Sequence, residues 1–117
     1  SPQGAWLLDN AWRYGFVQRW PEADPAADEH RPYHFRYVGL SHARMMQALA
    51  LDFEAYLDFL RQEGAVTLLD DEGAPLVTVV CVRAGERHTV FEVPEGTKLE
   101  DASLDNTGWA LLSLTYR

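Results

Sequence analysis

The sequence predicts an α+β fold, and three observations carry that prediction. Apolar residues in the first half recur at intervals of three and four, the period of a helix packed on one side. After Gly64 the period falls to two, in short runs rich in Val, Leu and Thr. Turn signals punctuate those runs, first Asp71-Glu72-Gly73, then Gly85-Glu86, then Asp105-Asn106-Thr107-Gly108.

Each element follows in order. Residues 3–13, QGAWLLDNAWR, set Trp6, Leu7, Asn10 and Ala11 at helical spacing, and Gly15 is a natural stop. GFVQRW alternates and reads as a strand running into Pro21. From Glu22 to Arg31 the chain is acidic, holds a proline and shows no apolar period, so it reads as an exposed loop. YHFRYVG is the next strand. Its alternation sets Tyr33, Phe35 and Tyr37 on one side, against the helices, and His34 and Arg36 on the other, facing a cleft. Ser41 is a candidate cap for the helix HARMMQALA, and Asp52 for the helix FEAYLDFLRQ, which Gly64 ends. Phe53, Tyr56, Leu57 and Leu60 form the apolar stripe of the latter, a packing surface. Residues 64–117 then read as strand, turn, strand, turn, strand, with the third strand in RHTVFEVPEGTKL and a last strand in WALLSLTYR. They predict an antiparallel sheet of three or four strands, with Cys81 inside and Trp109 over an edge or face, resting on the helix that carries Tyr56 and Leu60. The organisation is therefore a mixed portion, residues 1–63, and an all-strand portion, residues 64–117.

Composition narrows the function. The 117 residues are 47% hydrophobic and 24% charged, which suits a packed domain. A net charge of −8 with a single lysine, Lys98, argues against a nucleic-acid surface, since nothing clusters to neutralise phosphates. No apolar run is long enough to span a membrane. The single cysteine, Cys81, excludes an internal disulfide, and its apolar setting, LVTVVCVRA, predicts an inert strand thiol.

The stretch EHRPYHFRYVGLSHARMM holds three of the four histidines. His34, between aromatics, has the setting of a metal ligand, and His30 lies four residues before it. Pro32 between them opposes the helix that would put both on one face. A catalytic zinc needs three protein ligands and an open position, and no further pair is evident. His42 in a first helical turn and His88 beside acidic turn residues read as surface imidazoles. There is no Gly-rich phosphate loop, Gly-x-Ser-x-Gly elbow or Cys-x-x-Cys, and the acidic loop lacks the pattern of a calcium site.

AWLLDNAWRYGFVQRWP followed by RPYHFRYVGLSHARMM closely resembles the C-terminal half of VanY-like D-alanyl-D-alanine carboxypeptidases. In that family a helix ending in Tyr-Gly-Phe, a strand ending in Arg-Tyr-Pro and a strand Glu-Pro-Trp-His-Phe-Arg-Tyr-Val-Gly occur in this order. The resemblance covers residues 5–46, and DFEAYLDFLRQ resembles the segment that follows the peptidase core in many members. Some members carry a strand-rich tail like residues 64–117. The resemblance implies a zinc peptidase that trims terminal D-Ala from peptidoglycan stem peptides, in the cell envelope or outside a bacterial cell. It implies the C-terminal half of a peptidase fold followed by a small all-β extension.

By the same resemblance His34 matches the last zinc-binding histidine, and Tyr33 stands where the family has Trp. The general-base glutamate belongs three residues before that histidine, where this chain has Arg31. A guanidinium stays protonated and cannot be a base. It can pair with a carboxylate, either Glu29 or the C-terminus of a bound peptide, and beside a zinc its charge weakens metal binding. Glu29 is the alternative base, but on a strand it lies about 6–7 Å further along. The Ser-x-His-x-x-Gly-x-Ala-x-Asp motif that brings the other two zinc ligands is absent. Arg31, Tyr33 and Arg36 are the candidate peptide-binding residues. The expectation is a part of a carboxypeptidase domain that is inactive alone and binds zinc weakly. The alternative is a catalytically lapsed module that recognises cell-wall peptides or another protein.

Overall fold

A computed structural model describes residues 2–18 and 35–117. They form an α+β fold with three α-helices and two antiparallel sheets. The chain divides into two compact units, Ser1–Tyr56 and Leu57–Arg117. The acidic loop at 22–31 lies outside the described residues.

The first unit opens with α1, Pro2–Asn10, extended by a 3₁₀ turn, Ala11–Tyr14. The helix expected over 3–13 is thus tightened in its last part, where Gly15 stops it in the left-handed conformation, φ +87°. The Gly15 N–H donates to the Trp12 carbonyl at 3.0 Å, and its own carbonyl accepts from Val38 and Gly39 at 2.8 and 3.1 Å. A Cβ at Gly15 would lie 2.8 Å from the Tyr37 ring and 3.1 Å from the Gly39 carbonyl carbon. Only glycine suits that crossing, where the end of the helix meets the strand that returns to it.

Strand β1, Phe16–Gln18, pairs antiparallel with β2, Phe35–Tyr37, setting Phe16 opposite Tyr37 and Val17 opposite Arg36. The aromatic side of β2 is not buried as the alternation suggested. Phe35 is half-buried and Tyr37 is 65% exposed, its ring edge-on to Phe16 at 5.1 Å. Among the described residues Val17 is the one buried side chain of the ribbon, while Arg36 directly opposite it is exposed.

Helix α2, Leu40–Leu49, starts one residue before Ser41. Its N-cap is Gly39, at φ +87° and ψ 158°, and no side chain caps it, so the Ser41 cap is a correction. That start puts His42, Ala43, Met45 and Met46 on the inward face. Helix α3, Phe53–Glu63, is capped as expected, with the Asp52 carboxylate accepting from the Ala55 N–H at 2.9 Å. Its stripe packs inward too, with Tyr56, Leu57 and Leu60 buried.

The second unit holds a four-stranded antiparallel sheet in the order β3-β4-β6-β5. The strands are β3, Ala65–Leu69; β4, Pro75–Arg83; β5, Thr97–Leu104; and β6, Trp109–Tyr116. Val77, Val79 and Cys81 alternate as buried residues of β4, opposite Thr115, Ser113 and Leu111 of β6. From Ala110 to Leu114 every residue of β6 is buried, as expected where a strand is flanked on both edges and covered on both faces. A hydroxyl chain joins three strands: Thr67 Oγ1 to Thr78 Oγ1 at 2.7 Å, and Thr78 Oγ1 to Tyr116 Oη at 2.6 Å.

The third strand takes only the end of the stretch that suggested it. RHTVFEV carries no strand, and Val90 is 87% exposed. The strand is Thr97–Leu104, an edge strand exposed along its length except at Thr97. The short turn at Asp105–Gly108 makes Leu104 the residue opposite Ala110, and pairing zips back from there. Glu100 stands out of register between Leu99 and Asp101, a bulge that bends and blunts the edge. Among the described residues no helix is long and apolar enough to cross a membrane.

Candidate functional site

Of the residues singled out for chemistry, His30, Glu29, Arg31, Tyr33 and His34 lie outside the described residues. Arg36 is described. It is an exposed residue of β2, opposite Val17, and its guanidinium carbon sits 4.5 Å from the centre of the Phe53 ring. Phe53 opens α3 directly after the Asp52 cap, half-buried. The ring restrains the guanidinium plane without itself engaging the N–H groups, which are the part of the side chain that meets an anion. Phe53 reads from sequence only as packing. Its use as a platform needed the strand and helix brought together.

A cavity of about 320 Å³ opens in the same unit. Among the described residues its lining comes from α1 and the 3₁₀ turn (Leu8, Ala11, Trp12), the β1–β2 ribbon (Phe16, Val17, Gln18, Phe35) and α2 with the segment after it (Ala43, Met46, Gln47, Ala50, Leu51, Asp52). Most of the described lining side chains are apolar, with Gln18 and Gln47 among the polar ones, and Asp52, already engaged as a cap, is the only carboxylate among the described lining residues.

The histidines correct the sequence reading. His42 is not a surface imidazole: it is 4% exposed, and its Nδ1 lies 2.7 Å from the Tyr56 hydroxyl, with the rings edge-to-face at 5.7 Å. His42 lies three and four residues before Met45 and Met46, so the helix turns it onto their buried face. His88 is exposed, as expected. Among the described residues no group of three or more His, Cys, Asp or Glu could hold a metal ion. The zinc implied by the resemblance therefore has no site built from the described residues.

In the second unit Arg61 and Asp105 form a pair that sequence spacing did not reveal. Arg61 donates to the Asp105 carboxylate at 2.8 Å, and to Asp58 one turn earlier at 3.0 Å. Asp105 Oδ1 also accepts from Thr107 N at 2.8 Å, Thr107 Oγ1 at 2.9 Å and Trp109 N at 3.0 Å. Burial of Asp105 favours the protonated acid, but the hydrogen bonds from Arg61, Trp109 and Thr107 outweigh it and hold the carboxyl well below the usual carboxylate range. The same hydrogen bond raises the Arg61 pKa. Burial pushes the nearby Cys81 thiol up, the Asp105 charge adds to the rise and Arg61 opposes it. That makes Cys81 a poor nucleophile, as its strand setting suggested. Arg83 lies over the Trp109 ring at 5.1 Å, so Trp109 is partly covered by its cross-strand neighbour. These contacts tie the β5–β6 turn to α3 and are structural.

No family model matches the chain. Among curated proteins, the D-alanyl-D-alanine carboxypeptidase of Enterococcus faecium is 37% identical over 70 residues, 58% of this chain and 23% of that protein. The bifunctional D-Ala-D-Ala dipeptidase and D-Ala-D-Ala carboxypeptidase VanXYC of Enterococcus gallinarum is 41% identical over 58 residues, 48% of this chain and 30% of its own. Among solved structures, the vancomycin-resistance D,D-dipeptidase VanXYg, in complex with a D-Ala-D-Ala phosphinate analogue, superposes with a TM-score of 0.74 at 25% identity. That match takes in 94% of this chain and 45% of the other. It necessarily includes most of residues 64–117, so the sheet unit has a counterpart in that protein. The matched part is less than half the length of each relative.

Proposed function

We infer, from the chain's membership of the VanY-like D-alanyl-D-alanine carboxypeptidase family, that it is the C-terminal part of a peptidase acting on peptides that end in D-Ala-D-Ala. The observation that carries this is the superposition of 94% of the chain on less than half of a D,D-dipeptidase. The complete protein would act on peptidoglycan in the bacterial envelope, with zinc supplying the polarisation of the scissile carbonyl and of water. His34 is the candidate ligand within this chain, and the remaining two ligands belong to a portion outside it.

The chain's own residues divide the work as follows. Arg36, steadied over Phe53, and Arg31 offer guanidinium groups to the carboxylate of a peptide. The cavity beside the β1–β2 ribbon would offer apolar contact from Leu8, Val17 and Met46 on that side. Arg31 cannot take a proton from water, so a working enzyme needs a base from elsewhere, Glu29 or a residue outside the chain. Arg31 in the glutamate's place also favours the second reading, a lapsed relative that binds such peptides without cleaving them.

The test is D-Ala release from a peptide ending in D-Ala-D-Ala, with zinc present, by the 117-residue chain and by the full product of its gene. Release by the full product and none by the chain is the expected result. Release by the chain alone would overturn the partial-domain reading. Peptide binding by a full product that releases nothing would establish the lapsed relative.

A further inference from the structure

We propose that the outer edge of β3 pairs with the β3 edge of a second copy of this chain, antiparallel and centred on Thr67, joining two four-stranded sheets into one. This stands apart from the peptidase reading and depends on the second unit alone. The strand order β3-β4-β6-β5 leaves two edges, and the chain treats them differently. The β5 edge carries Lys98, Glu100 and Asp101 and its own bulge at Glu100, devices that keep a foreign strand away. The β3 edge has none of them. AVTLL holds no charge and no proline, and its pairing with β4 is regular from Ala65 to Leu68. The irregularity at its end inserts Leu76 into β4 and leaves β3 itself without an extra residue. Ala65, Thr67 and Leu69 are exposed, Leu69 by 53%. An edge strand of this kind presents a row of unpaired backbone N–H and C=O groups, a template for another strand.

The occupant follows from the strand's own symmetry. Side chains alternate between the two faces, so an antiparallel pair of identical strands keeps like faces together only when residues of the same parity stand opposite. About Thr67, Ala65 meets Leu69 of the second copy, Val66 meets Leu68 and Thr67 meets Thr67. All five residues of the strand then pair, apolar against apolar on either side and hydroxyl against hydroxyl on the axis, a favourable cross-strand set. A contact related to itself by a two-fold axis closes at two copies, and the outer edges of the pair are then the two blunted β5 strands. A single strand pair is a small interface, so the dimer is weak and dissociates on dilution. Charge tunes it. Glu63 lies just before the run and Asp70, Asp71 and Glu72 just after it, and each chain carries −8, so two copies repel at the ends of the pairing. Salt screens that repulsion and strengthens the dimer.

The experiment is sedimentation equilibrium of the purified 117-residue chain over a range of concentrations, at about 0.05 and about 0.5 M NaCl. A monomer–dimer equilibrium that tightens at the higher salt is expected. Thr67→Glu and Thr67→Lys each set like charges face to face on the axis, and each should weaken the dimer about 5-fold or more. Mixed in equal amounts, the two variants should pair again, because opposite charges then meet there. Trp6→Ser, in the first unit, should leave the dimer unchanged. Far-UV circular dichroism checks that the variants keep the fold. Where a Thr67 variant does not, Leu69→Glu, at an exposed position of the same strand, must weaken the dimer instead, since it brings a carboxylate towards Glu63 of the second copy. A chain that stays monomeric at both salts overturns the proposal. So does a dimer that survives Thr67→Glu, one that only Trp6→Ser disrupts, or a mixture of the Thr67 variants that fails to pair. A monomeric chain that binds the synthetic strand Lys-Val-Thr-Val-Thr-Val-Lys, and loses it on Thr67→Glu, would give the edge to a strand of another protein and rule out the second copy.

Discussion

His42 Nδ1 and the Tyr56 hydroxyl lie 2.7 Å apart, both residues almost wholly buried, and they tie α2 to the start of α3. Removing only the hydroxyl, by Tyr56→Phe, keeps the ring and its packing. It takes one partner from a buried imidazole, which costs about 1–3 kcal/mol. Chemical denaturation of the two proteins should show the midpoint fall at unchanged slope. An unchanged midpoint would mean that the bond contributes nothing.

The position of His42 also shows what the sequence made legible. Its helix was plain from the spacing of Ala43, Met45 and Met46, but a histidine on that stripe carries no apolar signal, although its spacing to Met45 and Met46 places it on their face. Asp52, Leu57, Leu60 and Cys81 fell as expected because each sits where one strong local rule applies. Strand β5 was displaced because TKLEDASL is polar, as an exposed edge strand should be, while RHTVFEV has strand composition and no partner to pair with. The Arg61–Asp105 pair joins residues 44 apart and has no sequence signature. The candidate site was legible only as motif, since the residues from Glu29 to His34 lie outside the described residues and Arg36 alone is placed.

Two left-handed positions in the first unit should respond in opposite directions. Gly15→Ala puts a Cβ 2.8 Å from the Tyr37 ring at φ +87°, so strain and overlap add, and a loss of about 2–3 kcal/mol is expected. Ala50 ends α2 at φ +54°, where glycine is the unstrained residue. Ala50→Gly should therefore stabilise by about 0.5–1 kcal/mol. Thermal melts of both variants check the pair of signs.

Asp105 should govern acid stability. Its carboxyl is held below its unfolded value, so its contribution is full above the unfolded pKa, about 3.9, and is lost as the pH falls through the folded value. Asp105→Asn keeps an acceptor for the Thr107 and Trp109 N–H groups but removes the charge that Arg61 meets. The variant should melt about 5–10 °C lower at pH 7, and its deficit should shrink steadily as the pH is lowered through 4 towards the folded value. A deficit that does not narrow between pH 5 and pH 2 would show that the turn, not the charge, carries the effect.

Zinc is the sharpest test of the site. A tight tetrahedral site takes three protein ligands, and the function proposed above asks this chain for one of them, His34. Arg31, three residues before it, adds a positive charge near any bound cation. Among the described residues no three-ligand group exists to compensate. Calorimetry at neutral pH should accordingly find no stoichiometric nanomolar site in the 117-residue chain, and weak binding that falls further in His34→Ala. Arg31→Glu restores the family's residue and replaces repulsion with attraction, so it should tighten that weak binding by about 10-fold, yet confer no D-Ala release. Base and metal-bound water act as one unit, and restoring one part recovers little without the other. A nanomolar site abolished by His34→Ala would mean that this chain alone holds a complete metal centre, and the partial-domain reading would fall with it.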